Sequence, residues 1–235
     1  GVVSIWNHVR EDAGAILRRQ TQGAAAVLLA VLCACGGNNT PAENTDYPAM
    51  EAADLSAMEL GLASNSAMSA QYNADEWYGE DVSGLLTFYY LPTLDTDNVA
   101  NVNAQKLSQF DDALDSSMAQ ELEKNLSSNY AFLSVGKTEM KTLNGAPVIY
   151  MEGTFSFTDE VIDFMLKDGG WTQEDIDALG GREAILALPV TNQSYLYTVK
   201  DGWLYLFTGT YYAADQGAAV LECMTVLAQT AQSAA

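Results

Sequence analysis

The chain has 235 residues, 49% of them hydrophobic, enough for one well-filled core and a tail. Against 10 Lys+Arg stand 31 Asp+Glu, a formal charge of -21 whose field repels phosphate backbones and excludes nucleic acid as a partner. The single histidine, His8, falls in a stretch expected to be removed, so Ser-His-Asp, Cys-His and imidazole-zinc chemistry would lack their usual proton carrier or ligand.

From Ala24 to Cys35 the chain reads AAAVLLAVLCAC, uncharged, with Arg18 and Arg19 before it and the polar GGNNTPAENTD after it. The run is too short for a bilayer span, which takes about twenty residues, and has the layout of a secretory signal peptide. Its end, Leu32, Cys33, Ala34 and Cys35, resembles the lipobox of bacterial lipoproteins, with Cys35 as the lipid-modified residue. Choosing Cys33 would put bulky Leu32 directly before the cut; Cys33 itself is a less usual occupant of its position. The expected organisation is a signal peptide over 1–34, with an atypical N-terminal extension that carries Glu11 and Asp12, then a lipid-attached tether over 35–65. The resemblance implies signal peptidase and lipid-transfer enzymes as processing partners. It places the protein on the outer face of the bacterial cytoplasmic membrane, held by covalent lipid; two acyl chains suffice for stable anchoring.

Residues 36–50 are rich in Gly, Asn, Pro and Thr without apolar period and read as flexible chain; a short helix is expected between Met50 and Leu62. Strands are expected at Met68–Tyr72, Leu85–Leu91 and Val99–Leu107, with Glu80, Asp81 and Gly84 marking a turn. A helix should follow, opened by a Ser108/Asp111 capping box and carrying a ridge of Phe110, Leu114, Met118, Leu122 and Leu126. Two hairpins surround Asn144-Gly145 and Asp201-Gly202, dipeptides suited to the left-handed conformations of a two-residue turn. Between them residues 158–188 switch to helical period, with Thr158 and Thr172 as N-caps, Asp175 completing a box with Thr172, and Gly180-Gly181 as a stop. A last helix over 215–231 presents Val220, Cys223, Met224 and Leu227, which makes Cys223 a buried small apolar residue and leaves it without a disulfide partner. The fold class is α+β, an antiparallel sheet with helices packed on it.

AMSAQYNADEWY at Ala67–Tyr78, NVANVNAQKL at Asn98–Leu107, KTEMKTLNGAPVIYMEGTF at Lys137–Phe155 and VKDGWLYLFTGTYY at Val199–Tyr212, in this order and followed by a terminal helix, resemble the PsbP-like family. The resemblance covers residues 66–235, with 158–188 as an insertion. It implies an α/β/α sandwich and a non-enzymatic binding or assembly role toward an unknown protein or small ligand, and supplies no catalytic residues.

Three groupings could carry chemistry. In the insertion, Asp159, Glu160 and Asp163 head a run of carboxylates that continues through Asp168, Glu174, Asp175 and Asp177; such oxygen donors suit calcium, but the spacing matches no EF-hand, and a solvated face with Asp163 paired to Lys167 explains it as well. Asp95, Asp97, Glu152 and Glu160 could supply the paired carboxylates of an envelope hydrolase. Trp203, Tyr205, Phe207 and Tyr211 alternate onto one strand face, with Tyr195 and Tyr197 as neighbours; they form either a stacking platform for a sugar or peptide or a sheet face covered by a helix.

Overall fold

The computed structural model describes residues 46–96, 98–129 and 133–234. Its centre is a seven-stranded sheet in the order β3-β4-β5-β9-β8-β7-β6, and a three-stranded sheet in the order β1-β2-β10 lies beside it. The small sheet uses β1 (Leu60–Ser64), β2 (Met68–Asn73) and β10 (Gln232–Ser233). The large sheet uses β3 (Trp77–Val82), β4 (Leu85–Tyr90), β5 (Asn101–Gln109), β6 (Leu133–Leu143), β7 (Ala146–Phe155), β8 (Thr191–Lys200) and β9 (Trp203–Tyr211). Every strand pair among the described residues is antiparallel. The helices are α1 (Ser116–Asn129), α2 (Asp159–Lys167), α3 (Gln173–Ala178), α4 (Arg182–Leu186) and α5 (Gly217–Thr230). This is the α+β architecture expected from the sequence.

Hairpin turns set the registers. Asn144 and Gly145 have φ of 50° and 81°, and Asp201 and Gly202 have 51° and 77°, the left-handed pair that matches strand twist. A third such turn, Ser83-Gly84 at 51° and 87°, joins β3 to β4. The acidic stretch read as a turn is therefore largely strand: Glu80 and Asp81 lie within β3, opposite Thr87 and Leu86, and the turn comes after Val82. An edge strand tolerates such charges because they blunt pairing with other chains.

The large sheet has two apolar faces. On the front, Ile149, Met151, Tyr195, Tyr197, Leu204 and Leu206 pack under α1 and the insertion helices α2–α4, whose Met118, Leu122, Ile162, Met165, Ile176 and Ile185 close the layer. On the back, Leu86, Phe88, Val102, Tyr150, Leu196, Tyr205 and Phe207 pack under α5 and the small sheet. The C-terminal segment is stitched down. The Gln71 N–H donates to Thr230 Oγ1 at 2.9 Å, Lys200 Nζ to the Gln229 carbonyl at 2.8 Å, and Lys106 Nζ to Ser233 Oγ at 2.8 Å. A lysine on the last carbonyls of a helix also meets the negative end of its dipole.

Two boundaries differ from the sequence reading. Within the expected tether, the described residues from 46 onward belong to the domain: Met50 N–H donates to the Thr142 carbonyl at 2.7 Å, and Thr142 N–H to that of Pro48 at 2.9 Å. The expected helix before Leu62 is a single 3-10 turn, Leu55–Ala57, capped by Asp54, followed by strand β1. Gly61 permits that strand, since a Cβ there would sit 2.5 Å from the Tyr72 ring. The second difference is the start of α1. Ser108 and Asp111 form no cap; β5 continues to Gln109, opposite Trp203, with a bulge between Lys106 and Ser108. The helix begins at Ser116, with Asp115 Oδ1 accepting the Met118 N–H at 2.9 Å. Leu114, Met118, Leu122 and Leu126 are buried as the ridge predicts, while Phe110 packs from the loop.

Candidate functional site

The lipobox residues Leu32, Cys33 and Ala34 and the lipidation residue Cys35 lie outside the described residues. No helix among the described residues is long and apolar enough to cross a membrane.

The aromatic strand face is filled from within. Tyr205 and Phe207 are 1% and 0% exposed, their rings stacked at 6.4 Å in the layer that also holds Val220, Cys223, Met224 and Leu227 of α5. Trp203 is half-buried with Lys106 Nζ 4.0 Å over its ring, and Tyr211 packs against the first residue of α5, Gly217. Tyr205 and Phe207 therefore offer no stacking surface. Tyr195 and Tyr197 are not their neighbours: Tyr197 pairs with Leu206 and lies on the front face. Gly209 lets α5 approach, for a Cβ there would meet Val220 Cγ1 at 2.3 Å. Burial pushes the Cys223 thiol well above its ordinary pKa, so it is a core group.

The carboxylates are held by structural partners. Arg182, at the start of α4, reaches back to the first two turns of α2, with Nη1 2.9 Å from Asp159 Oδ1 and Nη2 2.5 Å from Asp163 Oδ1. The hydrogen bonds to Asp163 and then Asp159 raise the guanidinium pKa. The cation between these two candidate calcium ligands is thus an arginine side chain. Glu160 stands exposed beside Asp159 in the first turn of α2, where it meets the positive end of the helix dipole. Thr172 and Asp175 form the expected reciprocal cap of α3; the backbone N–H and then the hydroxyl of Thr172 lower the Asp175 pKa. Glu152 Oε1 accepts from the Tyr150 hydroxyl at 2.6 Å, and burial followed by this carboxylate pushes the tyrosine's pKa upward.

The carboxylates named for hydrolysis are not brought together. Glu152 pairs with Ser194 and so faces the back, whereas Glu160 belongs to a helix over the front, with the sheet between them. Asp95 is exposed in the loop after β4, and Asp97 lies outside the described residues. Among the described residues no group of three or more His, Cys, Asp or Glu side chains is arranged to hold a metal ion.

What sequence reasoning missed is the half of the front face that no helix among the described residues covers. The layer under α1 and the insertion helices takes sheet side chains from β6 to β9 and Leu107 of β5, and none from β3 or β4. Register places Tyr78 opposite Tyr89, Tyr89 opposite Asn101, and Asn101 opposite Thr210; Thr87 faces Asn103, which faces Thr208. Gln105, opposite Leu206, closes the row where the apolar layer begins. Tyr78 is exposed and Tyr89, Asn101, Asn103, Gln105, Thr208 and Thr210 are half-buried. Two of the amides are oriented by their neighbours. Thr87 Oγ1 donates to Asn103 Oδ1 at 3.0 Å, which keeps the Asn103 NH2 as the donor end, and Asn101 Nδ2 donates to the Val99 carbonyl at 3.1 Å, which keeps its Oδ1 as the acceptor end. The available signal was the alternation Asn101, Asn103, Gln105 against Val102 and Ala104.

No protein-family model matches the chain, and no curated protein does. Solved structures similar to it include two that cover three quarters or more of the chain. One is LpqN, involved in cell envelope biogenesis of Mycobacterium tuberculosis, at a TM-score of 0.40 and 11% identity over 75% of this chain and 91% of that one. The other is the solution structure of cyanobacterial PsbP from Synechocystis sp. PCC 6803, at a TM-score of 0.41 and 15% identity over 79% of this chain and 98% of that one.

Proposed function

We propose that this chain is a lipid-anchored domain on the outer face of a bacterial cytoplasmic membrane, acting by binding or assembly rather than by catalysis. The address rests on the Leu32-Cys33-Ala34-Cys35 pattern behind a short apolar run with two arginines before it. The role rests on one observation: four of the described carboxylates with chemical promise are engaged in holding the fold, and the two exposed ones, Asp95 and Glu160, have no second carboxylate brought to them. Asp159 and Asp163 clamp Arg182, Asp175 caps α3, and Glu152 accepts a buried tyrosine hydroxyl. A general acid-base pair needs two such groups converging on one reacting bond.

Mass spectrometry of the native chain from a membrane fraction tests the address. A diacylglyceryl-modified Cys35 as first residue is expected; an unacylated chain that retains its leading residues would falsify it. For the role, affinity isolation from solubilised membranes should retain one specific partner, and turnover of a glycan or ester by the purified monomer would overturn it. Millimolar calcium should leave the melting temperature unchanged, because Arg182 already neutralises the two candidate ligands.

A further inference from the structure

We propose that the uncovered half of the front face is a binding surface for a neutral, polyhydroxylated ligand, a glycan chain. This rests on the binding reading above and names its ligand class.

The argument is one of matching chemistry. Asn101, Asn103 and Gln105 on β5 and Thr208 and Thr210 on β9 put amides and hydroxyls side by side on one face. Side chains on that face recur about every 7 Å along a strand and about 5 Å across strands, a grid on which successive hydroxylated rings can lie. Two of the amides are preset: the Thr87 hydroxyl takes Asn103 Oδ1 and keeps its NH2 to donate, and the Val99 carbonyl takes Asn101 Nδ2 and keeps its Oδ1 to accept. A ligand with both donors and acceptors at each unit meets such a mixture without leaving either unpaired. Beside them Tyr78, 49% exposed on the edge strand, presents an aromatic side chain with a polar tip.

Charge decides among the occupants. The chain carries a formal -21, yet among the described residues this face bears no lysine or arginine and one carboxylate, Glu80, at its margin. An anionic polymer would meet the protein's repulsion without a compensating cation, and a cationic one would find no cluster of carboxylates. A protein partner draws its affinity from a desolvated apolar or arginine-rich centre; here the centre is Asn101, Asn103, Gln105, Thr208 and Thr210, and the tyrosines, Tyr78 and Tyr89, stand at its edge. Among the described residues of β3 and β4 the aliphatic side chains on this face are Val82 and Leu85, paired at its far end, too few for a lipid tail to lie along. A neutral glycan remains.

The test is calorimetric titration of the full chain in detergent with chitohexaose and with cellohexaose, and with polygalacturonate as the anionic counterpart. Saturable binding of a neutral hexaose is expected, weakened about tenfold or more by Asn103→Ala with Gln105→Ala, since two hydrogen bonds are lost. Phe164→Ala, on α2, should leave binding unchanged. If the double variant does not fold, Thr208→Val with Thr210→Val, which preserves strand-forming shape, carries the same expectation. Absence of binding by both neutral probes, binding that ignores these substitutions, or preference for polygalacturonate overturns the inference. A photo-crosslinker at Tyr78 separates this failure from that of the parent reading. Capture of a protein there, with no glycan bound, removes the glycan and leaves a binding role; absence of any specific partner by this route and by affinity isolation removes both.

Discussion

The front and back of the large sheet are made by the same strands, and their alternation supplies apolar side chains to both, yet the back is closed across its central strands from β4 to β7 and the front over one half only. There α5 and the small sheet cover everything from Leu86 and Phe88 on β4 to Tyr150 on β7. In front, cover comes from α1 and the 158–188 insertion, and it ends at Leu107 and Leu206. Beyond that line the outward positions change from Leu and Tyr to Asn, Gln and Thr. A sheet residue is therefore made a core or a surface residue by what lies over it. The aromatic residues that looked most like a binding platform, Tyr205 and Phe207, sit on the covered side, and the plain polar alternation of β5 faces the open one.

The sharpest way to break this contrast is to truncate one side chain on each face. Phe207→Ala removes a fully buried ring beneath α5 and should destabilise the domain by about 3–5 kcal/mol, whereas Gln105→Ala should change stability by about 0.5 kcal/mol or less. Chemical denaturation of the two variants checks both values; equal losses would mean that the front is closed as well. Next in size is Gly209→Ala. Its Cβ would meet Val220 Cγ1 at 2.3 Å and Met224 Sδ at 2.9 Å, so α5 must move outward. Overpacking of this kind costs about 1–3 kcal/mol. An unchanged midpoint would show that α5 is not seated on β9 as closely as the geometry has it.

These faces also show what the sequence could reveal. Local chemistry was legible wherever a feature is decided by adjacent residues. Asn144-Gly145 and Asp201-Gly202 adopt the positive φ that their types allow, and Thr158 and Thr172 cap the helices that follow them. The apolar period of the last helix fixed its buried residues, Cys223 among them. Features decided by distant residues were not legible. Strand β1 depends on Tyr72 filling the space above Gly61, and the Ser108/Asp111 box was overridden because β9 extends β5 to Gln109. Asn101 and Asn103 could be assigned to a strand face; which half of the front stays open depends on where a later insertion packs.

A smaller effect tests whether the open half is in contact with water. Thr87→Val keeps the β-branched shape and deletes the hydroxyl that donates to Asn103 Oδ1. Because Asn103 is half-buried, water can replace that donor, and the loss should be about 1 kcal/mol or less. A loss beyond about 3 kcal/mol would indicate a sealed, waterless site, against an accessible binding surface.

The smallest effect concerns the rim of the covered half, where α3 is held by an exposed cap. In the folded chain the Asp175 carboxylate accepts from the Thr172 backbone N–H at 2.8 Å, then from its hydroxyl at 3.0 Å, and its pKa lies below the ordinary 3.8. A depressed carboxylate contributes stability that is complete above its unfolded pKa and is lost as pH falls through the folded one. The cap should therefore hold at neutral pH and weaken only below about pH 4, fraying α3 and loosening Ile176 from the front layer. Because the group is at the surface, the change should be local: NMR signals of 173–178 shift while those of α5 stay in place. Asp175→Asn should abolish this pH dependence. If α5 and α3 instead respond together, the front cover and the back cover form one cooperative unit, and closure of the two faces is not independent.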